Sequence, residues 1–194
     1  MSAPEPKSAL AGVWRSRPSG SEQLLIRERR LEIVQIAARP KMQGEINAAL
    51  AAAFGIGLPE PGRAGLAGDI TTLWIAPATC LLTRVWQTEA SLFKNVARVL
   101  TGLAACVDQT HGHTALRLSG TPCRDVLAKG CRVDLYPRVF GPGRTAVTPI
   151  AHVAAVLHQV DAAPTFDLIV PATLAQSFLE WLLASAAEFG ADLR

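Results

Sequence analysis

The spacing of apolar residues changes period repeatedly along this chain, and the order of the changes limits the folds open to it. Residues 24–26 and 31–36 are short Leu/Ile/Val-rich runs of strand type. After Pro40, Met42, Ile46, Leu50 and Phe54 recur every four residues, as one helical face does, and Gly55 stands where a C-terminal cap belongs. The stretch GIGLPEPGRAGLAG reads as a loop by composition. Strands are predicted at 73–76 and 80–86. Thr88 is placed to cap a second helix with Leu92, Val96 and Leu100 inward and Lys94 and Arg98 outward, ended by Gly102. Short strands at 105–108 and 115–118 precede a third helix, capped by Thr121 with Pro122 at its first position; Cys123, Val126 and Leu127 share its inner face, and Gly130 stops it. Cys131, Val133 and Leu135 then alternate with Arg132, Asp134 and Tyr136, the pattern of a half-buried extended segment. Strands at 147–150, 153–158 and 166–170 lead to a last helix from Pro171 to about Phe189. Two or three strands between successive helices favour an α+β fold with mainly antiparallel sheets over a regular parallel βαβ fold.

The chain has 194 residues, 49% hydrophobic and 18% charged, enough for one domain with a real core. Residues 1–21, rich in Pro, Ser and Gly, are expected to form a flexible arm ahead of a compact domain over 22–190, with a subdomain boundary near 102–106 as the alternative. Leu10, Val13 and Trp14 interrupt the polar arm, which leaves two readings open: a tail tucked on its own domain, or an anchor for a partner. The last helix is apolar around most of its circumference, broken by Gln176, Glu180, Ser185 and Glu188. It is therefore expected to be covered on nearly all sides, in part by another subunit. A net charge of +3 is too balanced to advertise a nucleic-acid partner, which normally shows as a concentrated basic face. The cluster of Arg27, Arg29 and Arg30 around Glu28 reads as a solvated strand edge. There is no leucine-rich leader and no run of about 18 apolar residues, so a cytoplasmic protein without a membrane span is expected. Its 4 cysteines should then be reduced thiols.

The motifs of known chemistry do not assemble. A zinc knuckle needs cysteines about two to four residues apart; Cys123 and Cys131 lie far outside that spacing, and Cys123 falls on a core stripe. His111 and His113 flank Gly112, which suggests a turn, and Asp108 is the one nearby third donor. Gly55 and Gly57 are followed by Glu60 where a dinucleotide loop needs glycine. No phosphate loop of the G-x-x-x-x-G-K-[ST] kind and no G-x-S-x-G elbow occurs. Asp108, Asp125, Asp134, Asp161 and Asp167 read as caps, turn residues or solvated edges. No catalytic, cofactor-binding or metal-binding residue is assigned.

Ordered blocks carry a resemblance: Asp108-Gln109-Thr110-His111, Leu116-Arg117-Leu118-Ser119-Gly120, Arg124 through Cys131, Asp134-Leu135, Pro137 and Phe140 before Gly143. Thr165-Phe166-Asp167-Leu168, Trp181-Leu182-Leu183 and Glu188-Phe189-Gly190 complete it. Together they resemble the gamma-subunit family of heterotetrameric bacterial sarcosine oxidases, densely over about 100–190. The sequence departs from the family pattern at Thr145-Ala146-Val147-Thr148, where cysteine and glutamine are usual, and at Pro171-Ala172-Thr173, in place of an Arg-Ser pair. The resemblance implies a fold like the folate-binding fold of the glycine-cleavage T-protein. It implies a non-catalytic subunit of an oxidoreductase that demethylates sarcosine to glycine, passes the one-carbon unit to tetrahydrofolate and yields hydrogen peroxide. Alpha, beta and delta subunits are the implied partners, with alpha in direct contact. FAD, FMN, NAD, zinc and tetrahydrofolate would lie in or between those other subunits. On this reading RDVLAKGCRVDLYP is packing, with Arg124, Lys129 and Arg132 outward. The alternatives are the matching subunit of an N-methylglutamate dehydrogenase, a free-standing folate-binding protein using Asp134, Arg138 and Arg144, and a metal hydrolase using His111 and His113.

Overall fold

Both faces of one strand are buried, and that decides the architecture. The structure, a computed structural model, describes residues 8–11, 24–87 and 91–193. In β2 (Leu31–Ala38), Leu31 and Ile33 point one way and Val34 and Ile36 the other, and all four are buried. Successive side chains of a strand alternate faces, so such a strand needs cover on both sides. It lies in a five-stranded sheet of order β3-β4-β5-β2-β6, with β3 (Ala64–Ala67), β4 (Ile70–Ala76), β5 (Thr79–Val85) and β6 (Ala104–Asp108). Val34, Ile36, Cys80 and Leu82 pack against Ile46 and Leu50 of α1 (Gln43–Phe54) and against Leu92 and Val96 of α2 (Leu92–Val99). Leu31, Ile33, Leu73 and Leu81 face the second sheet.

That second sheet has six strands in the order β11-β1-β7-β10-β9-β8. Its members are β1 (Leu24–Arg29), β7 (His113–Ser119), β8 (Thr145–Ile150), β9 (Val153–Asp161), β10 (Thr165–Pro171) and β11 (Ala191–Leu193). Ala115, Val156 and Ile169 meet the first sheet, while Leu116, Leu118, Leu157, Phe166 and Leu168 face the other way. There they pack on Cys123, Val126 and Leu127 of α3 (Cys123–Ala128) and on Phe178, Leu179 and Leu182 of α4 (Ala175–Ser185). The result is helices, sheet, sheet, helices. Each buried Leu, Ile or Phe contributes about 1.5–3 kcal/mol. The α+β, mainly antiparallel expectation holds; the exception is β11, parallel to β1. No helix among the described residues is long and apolar enough to cross a membrane.

Several local expectations change. Helix α2 begins at Leu92, capped by the Ser91 hydroxyl accepting from the Lys94 N–H at 3.3 Å; Thr88 lies outside the described residues. Thr121 is exposed, and α3 starts without a side-chain cap. Gly55 does close α1, at φ 68° with its N–H donated to Ala51 O. The composition-based loop contains β3, because Ala64–Ala67 pairs along β4 despite its glycines. Residues 131–135 alternate in burial as expected but form no ladder; one bridge, Cys131 to Ile150, ties them to β8. Helix α4 buries one side only: Gln176, Ser177, Glu180 and Ala184 are exposed, and Trp181 and Leu183 are half-buried. In the arm, Leu10 is fully buried in the core, so this residue is tucked on its own domain, and the Ser8 hydroxyl donates to Glu28 at 2.6 Å. Val13 and Trp14 lie outside the described residues.

Two backbone features fix the end of the second sheet. Ile150 pairs with Val153, so Ala151 and His152 form a two-residue hairpin turn, at φ 49° and 69°. Non-glycine residues in that region are destabilised by about 1–2 kcal/mol each. Beside the turn, Gly130 permits a contact that no other residue does: an added Cβ would lie 2.5 Å from Trp181 Cζ2 and 3.1 Å from Ala151 N. Gly130→Ala is therefore expected to lower unfolding stability by about 1–3 kcal/mol in denaturant titrations, because both neighbours must shift. An unchanged midpoint would contradict this packing.

Candidate functional site

Charged side chains drawn into an apolar interior must find partners, and three such groups, two on strands and one on a helix, organise the polar interior. Asp167 sits in β10 on the face that meets the other sheet, and is 7% exposed. Its Oδ1 accepts from Arg117 Nε at 2.7 Å, and its Oδ2 accepts from Arg117 at 2.7 Å and from Arg29 at 3.0 Å. These strands are hydrogen-bonded neighbours, with Asp167 opposite Arg117 on β7 and opposite His158 on β9. The bond to Asp167 raises the Arg117 pKa, and burial lowers that of His158 against the pull of Asp167. Glu32 is the second group. Its Oε2 accepts from Arg84 Nε and Arg84 NH2 at 3.0 and 2.6 Å, while Oε1 accepts the Leu92 N–H at 2.7 Å. A buried carboxylate thus sits at the start of α2, where the helix dipole favours negative charge.

Arg124 is the third, and it reverses an expectation. It turns inward from α3. Its guanidinium donates to the carbonyls of Leu135 and Phe140 and, at 2.9 Å, to Gln159 Oε1, and it lies 5.3 Å from the Phe166 ring centroid. Gln159, fully buried, passes the connection on by donating to Asp161 O at 2.8 Å. Arg124 therefore fastens the irregular 131–143 segment to the sheet. Lys129 also acts within the chain, pairing with Glu188 and donating to Ser185 O. Arg132 alone of the three stands outward without an ion pair among the described residues.

The histidine pair forms the turn that Gly112 suggests, with Gly112 N–H donated to Gln109 O at 3.1 Å. His111 is exposed, 6.3 Å from the Trp86 ring. His113 is half-buried; its Nδ1 has no partner, and burial lowers its pKa. Both line a cavity of about 100 Å³ beneath Ser8 and Ala9, together with Glu28, Arg29 and Trp86. Asp108 is engaged in its own turn, accepting the Thr110 N–H at 3.0 Å. Among the described residues no three His, Cys, Asp or Glu side chains come together as a metal site.

Asp134 and Asp161 likewise close turns, to Tyr136 N–H and Ala163 N–H, and Asp125 is exposed. Asp134, Arg138 and Arg144 share no hydrogen bond or ion pair among the described residues. Cys80 and Cys123 are buried, and desolvation pushes both pKa values up to about 12, so they are packing thiols. Cys106 and Cys131 are half-buried and raised for the same reason. Sequence reasoning missed Glu32 and took Asp167 for a cap, turn residue or solvated edge, whereas it is buried between two arginines. Both had a visible signal, each being a lone acid inside an apolar strand, LEIVQI and FDLIV.

Known proteins resemble this chain along most of its length. The profile of the sarcosine oxidase, gamma subunit family, matches residues 37–188. The sarcosine oxidase subunit gamma of Corynebacterium sp. (strain U-96) is 30% identical over 149 residues, 75% of this chain and 71% of that protein. The subunit gamma of Arthrobacter sp is 30% identical over 159 residues, 80% and 76% of the two chains. Among solved structures, a chain of the heterotetrameric sarcosine oxidase from Corynebacterium sp. U-96, in complex with pyrrole 2-carboxylate, superposes with TM-score 0.78 at 28% identity, covering 89% of this chain and 88% of that one. The glycine cleavage system aminomethyltransferase T from Bartonella henselae superposes with TM-score 0.63 at 13% identity, over 89% of this chain and 48% of that one, which is a likeness of fold alone.

The buried His158 and the half-buried His113 set a pH dependence. Burial holds His158 and His113 below the ordinary 6.5, so the unfolded chain takes up protons before the folded one. Stability should rise with pH through that region and fall below it. Thermal melts at pH 5 and pH 7 should show a lower midpoint at pH 5, and His158→Gln should narrow the gap. A gap of unchanged width in the variant would contradict the assignment to His158.

Proposed function

The chain belongs to the sarcosine oxidase gamma subunit family, and we propose that it is the gamma subunit of a heterotetrameric sarcosine oxidase. The oxidase demethylates sarcosine to glycine, transfers the one-carbon unit to tetrahydrofolate and yields hydrogen peroxide. The observation that carries the reading is the superposition on a chain of the Corynebacterium oxidase, which spans nearly nine-tenths of both chains at 28% identity.

Within that assembly the chain is a scaffold and takes no chemical step. Its buried carboxylates, Asp167 and Glu32, are held by arginines of the same chain, and its thiols are raised by burial away from nucleophilic thiolates. A catalytic acid or nucleophile is held at a cleft with its reacting atom free, whereas these groups brace strands and helix starts. The chain's part is to present a fixed surface to the alpha subunit, with beta and delta completing the assembly. FAD, FMN, NAD, zinc and tetrahydrofolate are held by, or between, those other subunits, and the assembly is cytoplasmic.

Expression alone and together with the other three subunits tests this. The isolated chain should bind no flavin and release no peroxide from sarcosine, and the co-expressed assembly should do both. Turnover by the isolated chain would overturn the scaffold reading. An assembly that oxidises N-methylglutamate in place of sarcosine would move the substrate to the related dehydrogenase.

A further inference from the structure

The C-terminal end of α3 opens onto a surface cavity of about 400 Å³, bounded by Lys129, Arg132, the Ala151–His152 turn and Trp181. Resting on the reading of the chain as a subunit, we propose that this cavity is a socket for a carboxylate-bearing side chain of a neighbouring subunit.

Three observations support it. The first is charge: the cations Lys129 and Arg132 line the cavity together with the hydrogen-bonding His152, and no acid is among its lining residues. Lys129 shares its charge with Glu188, but the exposed Arg132 and His152 have neither a hydrogen bond nor an ion pair from their side chains among the described residues. The second is that the wall is built. Ala151 N–H donates to Gly130 O at 3.2 Å, Cys131 is bridged to Ile150, and Gly130 lets both Trp181 and the turn backbone close against it. The third is strain. A two-residue turn at φ 49° and 69° suits Asn-Gly, yet here it carries Ala151 and His152, which sets His152 on the wall of the cavity that Arg132 also lines, at the expense of backbone ease.

A protein carboxylate fits this arrangement better than a free anion. Exposed cations hold a free ion weakly, because water screens the pair. A partner surface laid over the cavity excludes that water and strengthens the pairing, and the half-exposed Trp181 gives the apolar contact that such a surface buries.

Binding of the full chain to the large subunit, measured at low and raised salt, tests the proposal. Arg132→Glu should weaken binding at least tenfold and reduce its salt dependence. His152→Gly should also weaken it, yet raise the thermal midpoint of the chain by about 2–4 °C by relieving the turn. That opposite movement separates a functional imidazole from a structural one, and a variant that failed to fold would not show it. Unchanged affinity for both variants overturns the socket while leaving the subunit reading intact. Failure of the unaltered chain to bind removes both. If inorganic phosphate stabilises the unaltered chain against heat but not Arg132→Glu, the cavity is a free-anion site and the docking proposal is wrong.

Discussion

Leu31, Ile33, Leu73 and Leu81 of one sheet meet Ala115, Val156 and Ile169 of the other, and the rest of the structure depends on that contact. Once two sheets pack face to face, each needs a helical layer on its outer side, and α1 with α2 and α3 with α4 supply them. Strands such as β2 and β10 are then buried on both faces. Any charge on them must be paired inside the chain, as Glu32 is with Arg84 and Asp167 with Arg29 and Arg117.

The period changes in the sequence carried the strand and helix order well, because apolar spacing is the same physical quantity that burial selects. Ile46 and Leu50 on α1, or Leu92 and Val96 on α2, fall on the inner faces their spacing required. Where tertiary contacts decide, the sequence was less legible. Arg124 looks like a solvated helix residue, but the carbonyls of Leu135 and Phe140 and the amide of Gln159 come from distant parts of the chain and draw it inward. Helix α4 looked apolar all round because alanine and leucine are tolerated on an exposed face; its buried side is set by Phe178, Leu179 and Leu182. Strand β3 has glycine where strands seldom do, and its partner β4 makes it.

The same internal pairing occupies the buried charged groups of this chain. Among the described residues, the buried acids Glu32 and Asp167 hold arginines, Asp108, Asp134 and Asp161 close turns, and the buried thiols pack. Among the described residues, Arg132 and the strained Ala151–His152 turn offer unengaged polar groups at the surface. RDVLAKGCRVDLYP is therefore two things at once: Arg124 and Leu127 build the interior, while Lys129 and Arg132 edge a surface cavity.

The central claim is that this four-layer chain works as a rigid part of a larger oxidase. The most direct measurement compares the mass and sarcosine turnover of the other three subunits, produced together with and without this chain. The expected result is one copy of the chain in the assembled complex, and loss of assembly or turnover when it is omitted. A three-subunit complex of full activity that leaves the chain unbound would contradict the claim.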